Sequence, residues 1–330
     1  MLKDARIINV FTEEIIRGDI AIQDGIIAGI GSFQGKEERD LGGKYVCPGF
    51  IDSHLHLEST LVTPAELVTV ASRHGTTTFI VDPHESANVS GLAGIDYILE
   101  QTEDVKANVY VMMPSCVPAT GIDDNGCTLT AQDMAPYLNN SRILGLGEVM
   151  DSISVVQGDK GMHDKLELFE GRIRDGHAPF LVEGDLQAYA MAGIATDHEC
   201  SFFDYAMRER RNGLTILIRE GSAARNLEAL VGGLVQRKMN GEGFCFCTDD
   251  KHIEDIQQEG HIDHNVRKAI RLGMNSVSAI KMATINAANC YGLKDKGAIA
   301  PGRQADLLVL SDLVNVDCLL YTSPSPRDRS

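Results

Sequence analysis

Residues 48–56 have the sequence PGFIDSHLH, an apolar run that ends in two histidines separated by one residue. The apolar part predicts a buried strand, and side chains two positions apart in a strand point to the same face. His54 and His56 can therefore place both imidazoles on one metal ion. A His-x-His pair also occurs by chance, so the stretch alone leaves metal binding and ordinary core packing open.

Four further acid or histidine residues follow short apolar or mixed runs. They are Glu148 after LGLG, His177 after RDG, His198 after ATD and Asp249 after FCFCT. Their intervals fit successive strand–helix units of a barrel, roughly 30 residues each, so we expect them to meet at one rim with the histidine pair. Each has a structural alternative: Glu148 could cap the next helix, His177 could lie in a loop and His198 could begin a helix.

Composition indicates a globular enzyme. The chain of 330 residues is 43% hydrophobic, and it has no apolar run near the roughly 20 residues of a membrane span. Lys3, Asp4 and Arg6 interrupt the apolar residues at the start, which argues against a signal peptide. A net charge of −17 argues against a nucleic-acid partner, because such proteins concentrate Lys and Arg.

The cysteines indicate a reducing compartment. There are eight, without the paired spacing of a disulfide framework, so we expect a cytoplasmic protein. Cys245 and Cys247 share one face of a predicted strand, where they are expected to be small core residues rather than metal ligands.

The pattern divides the chain into segments. Short alternating runs with Asp-Gly turn signals up to residue 44 predict a small β-rich region, and apolar strands then alternate with helical stretches, as in βα units. A turn-rich connection beginning at residue 297 leads to a strand at 307–310 that could return to the first region. We therefore expect an α/β fold with a (β/α)8 TIM-like barrel over 45–296, flanked by a small β-sandwich domain built from residues 1–44 and 297–317.

Eight barrel strands are predicted, over residues 46–56, 77–83, 108–113, 143–148, 172–177, 194–198, 214–220 and 244–249. The fifth and sixth are only weakly apolar. Nearly all end on polar or ionisable residues, and the carboxyl ends of the strands are where such a barrel builds its active site.

The last residues depart from everything before them. Residues 318–330, CLLYTSPSPRDRS, contain a polar Ser-Pro repeat that cannot bury a face, so we expect this tail to be disordered. The string resembles the translation of a sequencing-library adapter. We therefore expect the natural reading frame to end near Asp317 and the chain to be C-terminally truncated.

Several motifs together resemble a known family. PGFIDSHLH at 48–56 and PGRQAD at 301–306 are similar to the metal-dependent amidohydrolase superfamily. Five more motifs resemble those of one family within it, the bacterial-type adenine deaminases. They are HLES at 56–59, DPHE at 82–85, PSCVPA at 114–119, IREGSAARN at 218–226 and CTDD at 247–250. The resemblance runs from residue 5 to about residue 316. Members of that family continue beyond the returning strand, so the flanking domain is expected to be incomplete.

The resemblance implies a binuclear divalent metal centre. Its ligands would be His54, His56 and Asp249 at the first ion, His177 and His198 at the second, and Glu148 as the bridge. Imidazole and carboxylate donors suit Mn, Fe or Zn, of which Mn or Fe is expected here. Two ions about 3.5–4 Å apart can share a hydroxide.

The implied activity is hydrolytic deamination of adenine to hypoxanthine and ammonia, a step of purine salvage. Asp249 would take a proton from the attacking water and deliver it to the departing amine. Glu85, at the end of the second strand, would protonate the ring nitrogen beside the reacting carbon, and His84 would hold or tune it. Alternatively, His84 and Glu85 form an ordinary helix N-terminus with a favourable acid.

Substrate contacts are expected near the ends of the last two strands. Arg219 and Glu220 end the seventh strand, and Ser222 begins a helix whose N–H groups could meet a polar substrate edge. Arg219 and Glu220 could instead form an ion pair on the rim. Asp250 could bind substrate or orient His252.

Other expectations complete the prediction. His261 and His264 are expected to be solvated surface residues rather than metal ligands. The partner would be a small molecule, with neither nucleic acid nor membrane, and the chain would form a homo-oligomer, since closed homo-oligomers are the commoner assemblies. The alternatives are another amidohydrolase, either a cyclic amidase or a different nucleobase deaminase, and an inactive truncated fragment.

Overall fold

A computed structural model describes residues 1–313 and the backbone of residues 316–321. Its first strands are β1 (Leu2–Asn9), β2 (Glu14–Gln23), β3 (Ile26–Gly31), β4 (Arg39–Asp40) and β5 (Tyr45–Pro48). β2 pairs antiparallel with both β1 and β3, whereas β4 and β5 pair parallel with β1. The turn between β2 and β3 contains Asp24 and Gly25 at φ of 51° and 75°, the left-handed conformation that an Asp-Gly hairpin turn requires.

Eight parallel strands follow, each overlapping a predicted one. They are β6 (Phe50–Leu55), β7 (Thr76–Val81), β8 (Asn108–Met113), β9 (Ile143–Val149), β10 (Ile173–Gly176), β11 (Thr196–Asp197), β12 (Thr215–Arg219) and β13 (Phe244–Cys247). The first five form one sheet in the order β10-β9-β8-β7-β6, and the last three form another in the order β11-β12-β13. The predicted α/β fold with parallel strands is confirmed.

Hydrogen bonds join these two sheets at both edges. Asp249 N donates to His54 O at 3.0 Å, and Leu55 and Asp249 form a parallel bridge between the ends of β6 and β13. On the opposite side, Ala195 N donates to Arg174 O at 2.9 Å and so connects β10 to the start of β11. The arrangement is consistent with the expected (β/α)8 barrel.

Helices connect the strands and cover them. They are α1 (Pro64–Arg73), α2 (His84–Ser90), α3 (Leu92–Gln101), α4 (Ala131–Met134), α5 (Ser152–Gln157), α6 (Lys160–Leu168), α7 (Glu183–Met191), α8 (Phe203–Arg211), α9 (Leu227–Gln236), α10 (Ile253–Glu259), α11 (Ile262–Arg271), α12 (Ser276–Met282) and α13 (Ile285–Cys290), with short 3-10 helices at Glu58–Thr60 and Ala135–Asn139. Side-chain caps fix several helix starts. Asp159 accepts from Met162 N at 3.0 Å before α6, and Asn275 accepts from Val277 N at 2.9 Å before α12.

Apolar side chains lie on both sides of the parallel strands. α9 buries one face, with apolar residues at helical spacing against the strands: Leu227, Leu230, Val231 and Leu234. A separate cluster joins β6, β7, β8, β12 and β13 to α13 and includes Ile51, Ile80, Met112, Leu217 and Cys245. Cys245 and Cys247 both belong to this cluster and are fully buried, as predicted for core residues.

The chain then returns to the first strands. β14 (Leu307–Leu310) pairs antiparallel with β5, and β15 (Val316–Tyr321) pairs antiparallel with β14. The result is one seven-stranded sheet in the order β15-β14-β5-β1-β2-β3, with β4 on β1. The predicted return of 307–310 is confirmed. A flanking β-sandwich is not confirmed, because the described strands of this region form a single sheet.

The strand predicted over residues 46–56 is two strands. Tyr45–Pro48 lies in the seven-stranded sheet, Phe50–Leu55 lies in the parallel set, and Gly49 separates them. A Cβ at Gly49 would stand 2.2 Å from Thr77 Oγ1, so this passage requires glycine. The border between the two parts therefore lies near Gly49, one strand later than the predicted border at residue 44.

The predicted disordered tail is also corrected in part. The backbone of Val316–Tyr321 forms a strand, which includes the first residues of the expected tail at 318–330. Its pairing with β14 supplies hydrogen-bond partners that a Ser-Pro pattern alone does not reveal. The remainder of that prediction, residues 322–330, lies outside the described residues. Among the residues that are described, no helix is long and apolar enough to cross a membrane.

Candidate metal centre

His54 and His56 turn their imidazoles toward each other at the end of β6. Their Nε2 atoms are 3.1 Å apart, and both side chains are buried. His56 Nδ1 donates to the carbonyl of Asp82 at 2.8 Å. A carbonyl can only accept, so the proton of a neutral His56 lies on Nδ1 and its Nε2 presents a lone pair to the cluster.

Glu148 lies between two groups of histidines at the end of β9. Its Oε1 is 3.0 Å from His84 Nε2 and 3.4 Å from His56 Nε2. Its Oε2 is 2.9 Å from His177 Nδ1 and 3.2 Å from His198 Nε2. Each carboxylate oxygen thus faces a different histidine pair, which is the arrangement that a bridging ligand requires.

Asp249 approaches the same cluster from the end of β13. Its Oδ1 is 3.2 Å from His56 Nε2 and 3.8 Å from His54 Nε2. Its backbone has a φ of 56°, a left-handed conformation that is uncommon for a residue with a side chain. Such strain is often found at functional sites, where the surrounding structure enforces it.

The cluster fits divalent metal ions. Its donor groups lie within 4.8 Å of one another in overlapping sets, which include His54 with His56 and Glu148, and His177 with His198 and Glu148. Two lone-pair nitrogens 3.1 Å apart repel each other unless a proton or a cation lies between them. Imidazole and carboxylate are ligands of Mn, Fe and Zn, so the residues present are suited to hold such ions.

The electrostatics agree with a cation at this position. Burial would lower the pKa of His198, yet its hydrogen bond to Glu148 and the charge of that carboxylate raise the pKa to about 9. Burial would raise the pKa of Glu148, but hydrogen bonds from His177, His198 and His84 hold it well below its usual range. The buried carboxylates therefore attract positive charge, which protons or metal ions can supply.

His84 and Glu85 begin α2 beside this cluster. His84 Nε2 is 3.6 Å from Glu85 Oε1, farther than its 3.0 Å contact with Glu148. Glu85 Oε2 is 3.5 Å from His56 Nδ1, and burial raises the pKa of the Glu85 carboxyl. The structure brings both residues to the cluster. His84 lies closer to Glu148 than to Glu85, so its contacts extend beyond the predicted one with Glu85.

Asp250 also lies at the cluster edge, whereas two other predicted substrate contacts do not. Asp250 forms a possible ligand group with His56 and Asp249 and accepts a hydrogen bond from Ser59. Glu220 is fully buried, and Lys268 Nζ donates to its Oε1 at 2.6 Å.

Ser222 has a capping position instead of a place at the cluster. Its hydroxyl donates to Asp255 Oδ2 at 2.5 Å and accepts from His252 N at 2.8 Å, at the start of α10. Arg219 contacts Asp249 Oδ2 at 2.7 Å and so does reach the cluster.

The sequence did not point to Glu199 as a residue of the cluster, and the position predicted for His261 was wrong. Glu199 Oε1 is 3.6 Å from His198 Nε2 and 3.7 Å from His177 Nδ1. Glu199 directly follows His198, a predicted ligand at a strand end, and this position could have indicated that it lies at the cluster. His261, expected at the surface, is fully buried, with Nδ1 2.8 Å from Thr76 Oγ1.

The surface prediction was wrong for both histidines of that segment. His261 Nε2 lies 3.2 Å from Asp52 Oδ2, and the His264 side chain is mostly buried near Glu220 and Glu259. The segment is polar, but α11 turns this polar face inward onto other polar groups. Helical spacing alone cannot distinguish that packing from a solvated face.

Comparison with known proteins establishes the family. The sequence model of the amidohydrolase family matches residues 45–322, which include every residue of the cluster. The chain belongs to the amidohydrolase family. Enzymes of this superfamily use divalent metal centres, in agreement with the donor set around Glu148.

Individual relatives within the family can be named. The chain is 58% identical over 316 residues to a protein named adenine deaminase from Desulfitobacterium hafniense (strain Y51), covering 96% of this chain and 56% of that protein. The chain thus spans about half the length of the curated relatives it matches.

Solved structures support the fold. A crystal structure of an adenine deaminase matches with a TM-score of 0.69 at 18% identity, over 93% of this chain and 88% of that one. A dihydropyrimidinase from Brevibacillus agri NCHU1002 also matches with a TM-score of 0.69, at 14% identity, over 94% of this chain and 85% of that one. At these identities the similarity concerns the fold alone.

Proposed function

We propose that this amidohydrolase converts adenine and water to hypoxanthine and ammonia. The observation that carries the proposal is the cluster of histidines around Glu148, with Asp249 beside it, in a chain 58% identical over 316 residues to a protein named adenine deaminase. We take the eight parallel strands, which begin after Gly49 with β6, as a closed (β/α)8 barrel that extends to residue 296. Residues 1–48, which include β5, and residues 297–317 are taken as an incomplete flanking β-domain.

The donor set divides into two ligand groups in this proposal. His54, His56 and Asp249 would hold one divalent ion, His177 and His198 would hold a second, and Glu148 would bridge them. Mn or Fe is our first choice, and Zn suits the same donors. When bound, such a pair lowers the pKa of water and so supplies a nucleophile at neutral pH.

Asp249 moves the first proton of the reaction. Its Oδ1 faces His54 and His56, where the attacking water would lie, so it can accept a proton as oxygen bonds to the purine carbon. It then gives that proton to the exocyclic nitrogen, which leaves as ammonia when its bond to carbon breaks. Burial alone would raise the pKa of Asp249, but His56 and the nearby imidazoles hold it well below its usual range, so the carboxylate begins ionised.

Glu85 moves the second proton. Its pKa is raised by burial, and its Oε2 is buried without a hydrogen-bond partner among the described residues, as expected for a group that meets substrate. It would protonate the ring nitrogen as charge develops there. The second proton of the water restores Glu85 when the new carbonyl forms, so both protons of the water are accounted for.

His84 would orient Glu85 and support Glu148, since its Nε2 lies within reach of both carboxylates. Among the predicted substrate contacts, Asp250 is retained because it lies at the cluster edge. Glu220 and Ser222 are bound to Lys268 and Asp255 instead, and we give them a supporting position behind the rim.

Further proposals concern the cellular setting. The described cysteines, Cys47, Cys116, Cys127, Cys200, Cys245, Cys247 and Cys290, are all free, which supports a reducing, cytoplasmic compartment. The partner would be a small molecule, and neither nucleic acid nor membrane is expected as one. Homo-oligomer formation remains a proposal from the general frequency of such assemblies.

Ammonia release tests the proposed function. The purified chain is reconstituted anaerobically with Mn or Fe and given adenine, and ammonia and the ultraviolet change are measured. We expect turnover in the wild type, none in His54→Ala and normal turnover in His163→Ala. His163 is a matched control because it is a histidine outside the cluster, on α6, where its Nε2 contacts Val155 O.

The same assay separates the alternatives. Similarity of fold does not distinguish adenine from a cyclic amide, since the adenine deaminase and dihydropyrimidinase structures share a TM-score of 0.69. A folded, metal-loaded chain that hydrolyses a dihydropyrimidine but not adenine would overturn the adenine proposal in favour of a cyclic amidase. A folded, metal-loaded chain without activity on adenine or the dihydropyrimidine would overturn it in favour of another nucleobase deaminase or an inactive fragment.

A further inference from the structure

Arg219 joins the ends of three successive strands. It is the last residue of β12, and its Nη1 and Nη2 donate to the two carboxylate oxygens of Glu199, after β11, at 2.5 and 2.9 Å. The same Nη1 donates to Asp249 Oδ2, after β13, at 2.7 Å. The Arg219 side chain is only 14% exposed, so these contacts are shielded from solvent.

Because of the contact with Arg219, the two carboxylate oxygens of Asp249 have different partners. Oδ1 faces His56 at 3.2 Å, and Oδ2 faces Arg219 at 2.7 Å. A carboxylate held at both ends cannot rotate freely, and its backbone is already held in a left-handed conformation with φ of 56°. Side chain and backbone are therefore both fixed with Oδ1 toward the histidines.

Glu199 holds Arg219 in the position that this contact requires. Two parallel N–H···O bonds fix the plane of the guanidinium as well as its distance. The geometry also argues against Arg219 as a substrate contact, because both of its Nη atoms already serve carboxylates and its Nε is buried.

We infer that Arg219 is a positioning residue, anchored by Glu199, that aims Asp249 Oδ1 at the space between His54 and His56. This inference rests on the proposed function for the identity of the reaction in which Asp249 acts. It replaces the substrate contact that the sequence predicted for Arg219. It also gives Glu199, which the sequence analysis missed, a defined task.

The variants that test this inference are Arg219→Gln, Arg219→Lys, Glu199→Gln and the double variant Arg219→Gln/Glu199→Gln. Removing such an outer ligand-orienting group typically costs about 10- to 100-fold in activity or metal affinity. We expect a loss of this size in kcat for Arg219→Gln with little change in KM, because substrate binding is left intact. Arg219→Lys should recover part of the loss, since one ammonium can reach Asp249 but cannot reproduce the paired contacts to Glu199.

The double variant tests the anchoring step. If Glu199 acts only through Arg219, the double variant should lose no more activity than Arg219→Gln alone. Arg237→Gln is the matched control, because this arginine forms an ion pair with Asp204 between α8 and α9 and touches neither Glu199 nor Asp249. It should leave kcat and KM unchanged, and thermal unfolding should show that every variant is folded.

A spectroscopic measurement makes the test independent of the substrate. Cobalt(II) is titrated into the apoprotein, and its visible absorption and affinity are compared between wild type, Arg219→Lys and Arg219→Gln. We expect an altered spectrum or weaker binding in the folded Arg219→Gln variant, because Asp249 is no longer fixed toward the histidines.

The outcomes that overturn the inference are distinct from those that overturn the proposed function. A raised KM with unchanged kcat and cobalt spectrum would make Arg219 a substrate contact. If the wild type does not deaminate adenine, the proposed function fails, and the cobalt titration still decides the inference. A cobalt spectrum and affinity identical in wild type and Arg219→Gln would overturn it.

Discussion

Glu209 predicts a specific pH dependence of stability. This carboxyl is fully buried on α8, where Cys200 donates a hydrogen bond to it and the Cys200 Sγ is also 3.1 Å from Asp197 Oδ2. Burial, with the nearby charge of Asp197, raises the pKa of Glu209 from an ordinary value of 4.5 to about 9. The folded protein therefore holds a proton that the unfolded chain releases above its lower pKa.

The sign and size of the change in stability with pH follow from this difference in the pKa of Glu209. The contribution of Glu209 to stability is fully present below about pH 4.5 and is lost as pH rises through about 9, because the unfolded state ionises first. The slope is about 1.4 kcal/mol per pH unit. Between about pH 5.5 and 8, the free energy of unfolding should fall by up to about 3 kcal/mol from this group.

Glu209→Gln isolates that contribution, since glutamine stays neutral at every pH in both states. Urea unfolding of wild type and variant is measured across this pH range, and the variant should gain stability relative to wild type as the pH rises. Glu242→Gln, at an exposed position, is the control and should leave the pH dependence unchanged. Parallel curves for wild type and Glu209→Gln would show that Glu209 ionises in the folded protein, which would refute the reasoning.

Two further substitutions test the packing that positions the site. Gly49→Ala should destabilise the protein by about 1–3 kcal/mol, because its Cβ would stand 2.2 Å from Thr77 Oγ1. Gly184→Ala is the control, since its Cβ would have nothing within 4 Å and should not destabilise the protein. Thermal unfolding measures both variants, and equal stability of the two would contradict the close contact between Gly49 and Thr77. Lys268→Met should lower the free energy of unfolding by up to about 3 kcal/mol, because it removes the 2.6 Å contact to buried Glu220. This is the low end of the range for a broken buried ion pair, since Arg225 still lies 3.6 Å from Glu220. Lys160→Met, which breaks an exposed ion pair on α6, is the control and should change the stability far less in urea unfolding. A similar loss of stability at both positions would contradict a special dependence of Glu220 on Lys268.

Local patterns predicted most of the parallel strands, because strand ends in this fold carry polar residues after apolar runs. The split of residues 46–56 was missed, since the apolar pattern continues through Gly49 while the chain passes from one sheet to another. Only the close approach of Thr77, which is distant in sequence, reveals why glycine stands there. Long-range contacts of this kind leave no periodic signal.

The site shows the same division between local and distant information. Ligand candidates at strand ends, such as Glu148 and His198, could be named because their positions follow from strand order. The direction of the Arg219 side chain could not be predicted, because its partners Glu199 and Asp249 follow two other strands, β11 and β13. His261 was predicted to be solvated because it lies in a polar segment, yet it is buried against Thr76 and Asp52, which are themselves buried.

The central claim is a binuclear centre bridged by Glu148, and the most direct measurement is the electron paramagnetic resonance spectrum of the chain loaded with Mn(II), recorded together with its metal content. The bridging geometry predicts two ions per chain and an exchange-coupled spectrum. In Glu148→Gln at least one ion should bind much more weakly, because a neutral amide cannot bridge two ions as a carboxylate does. One ion per chain at saturation, an uncoupled spectrum in the wild type, or unchanged affinity for both ions in Glu148→Gln would contradict the account.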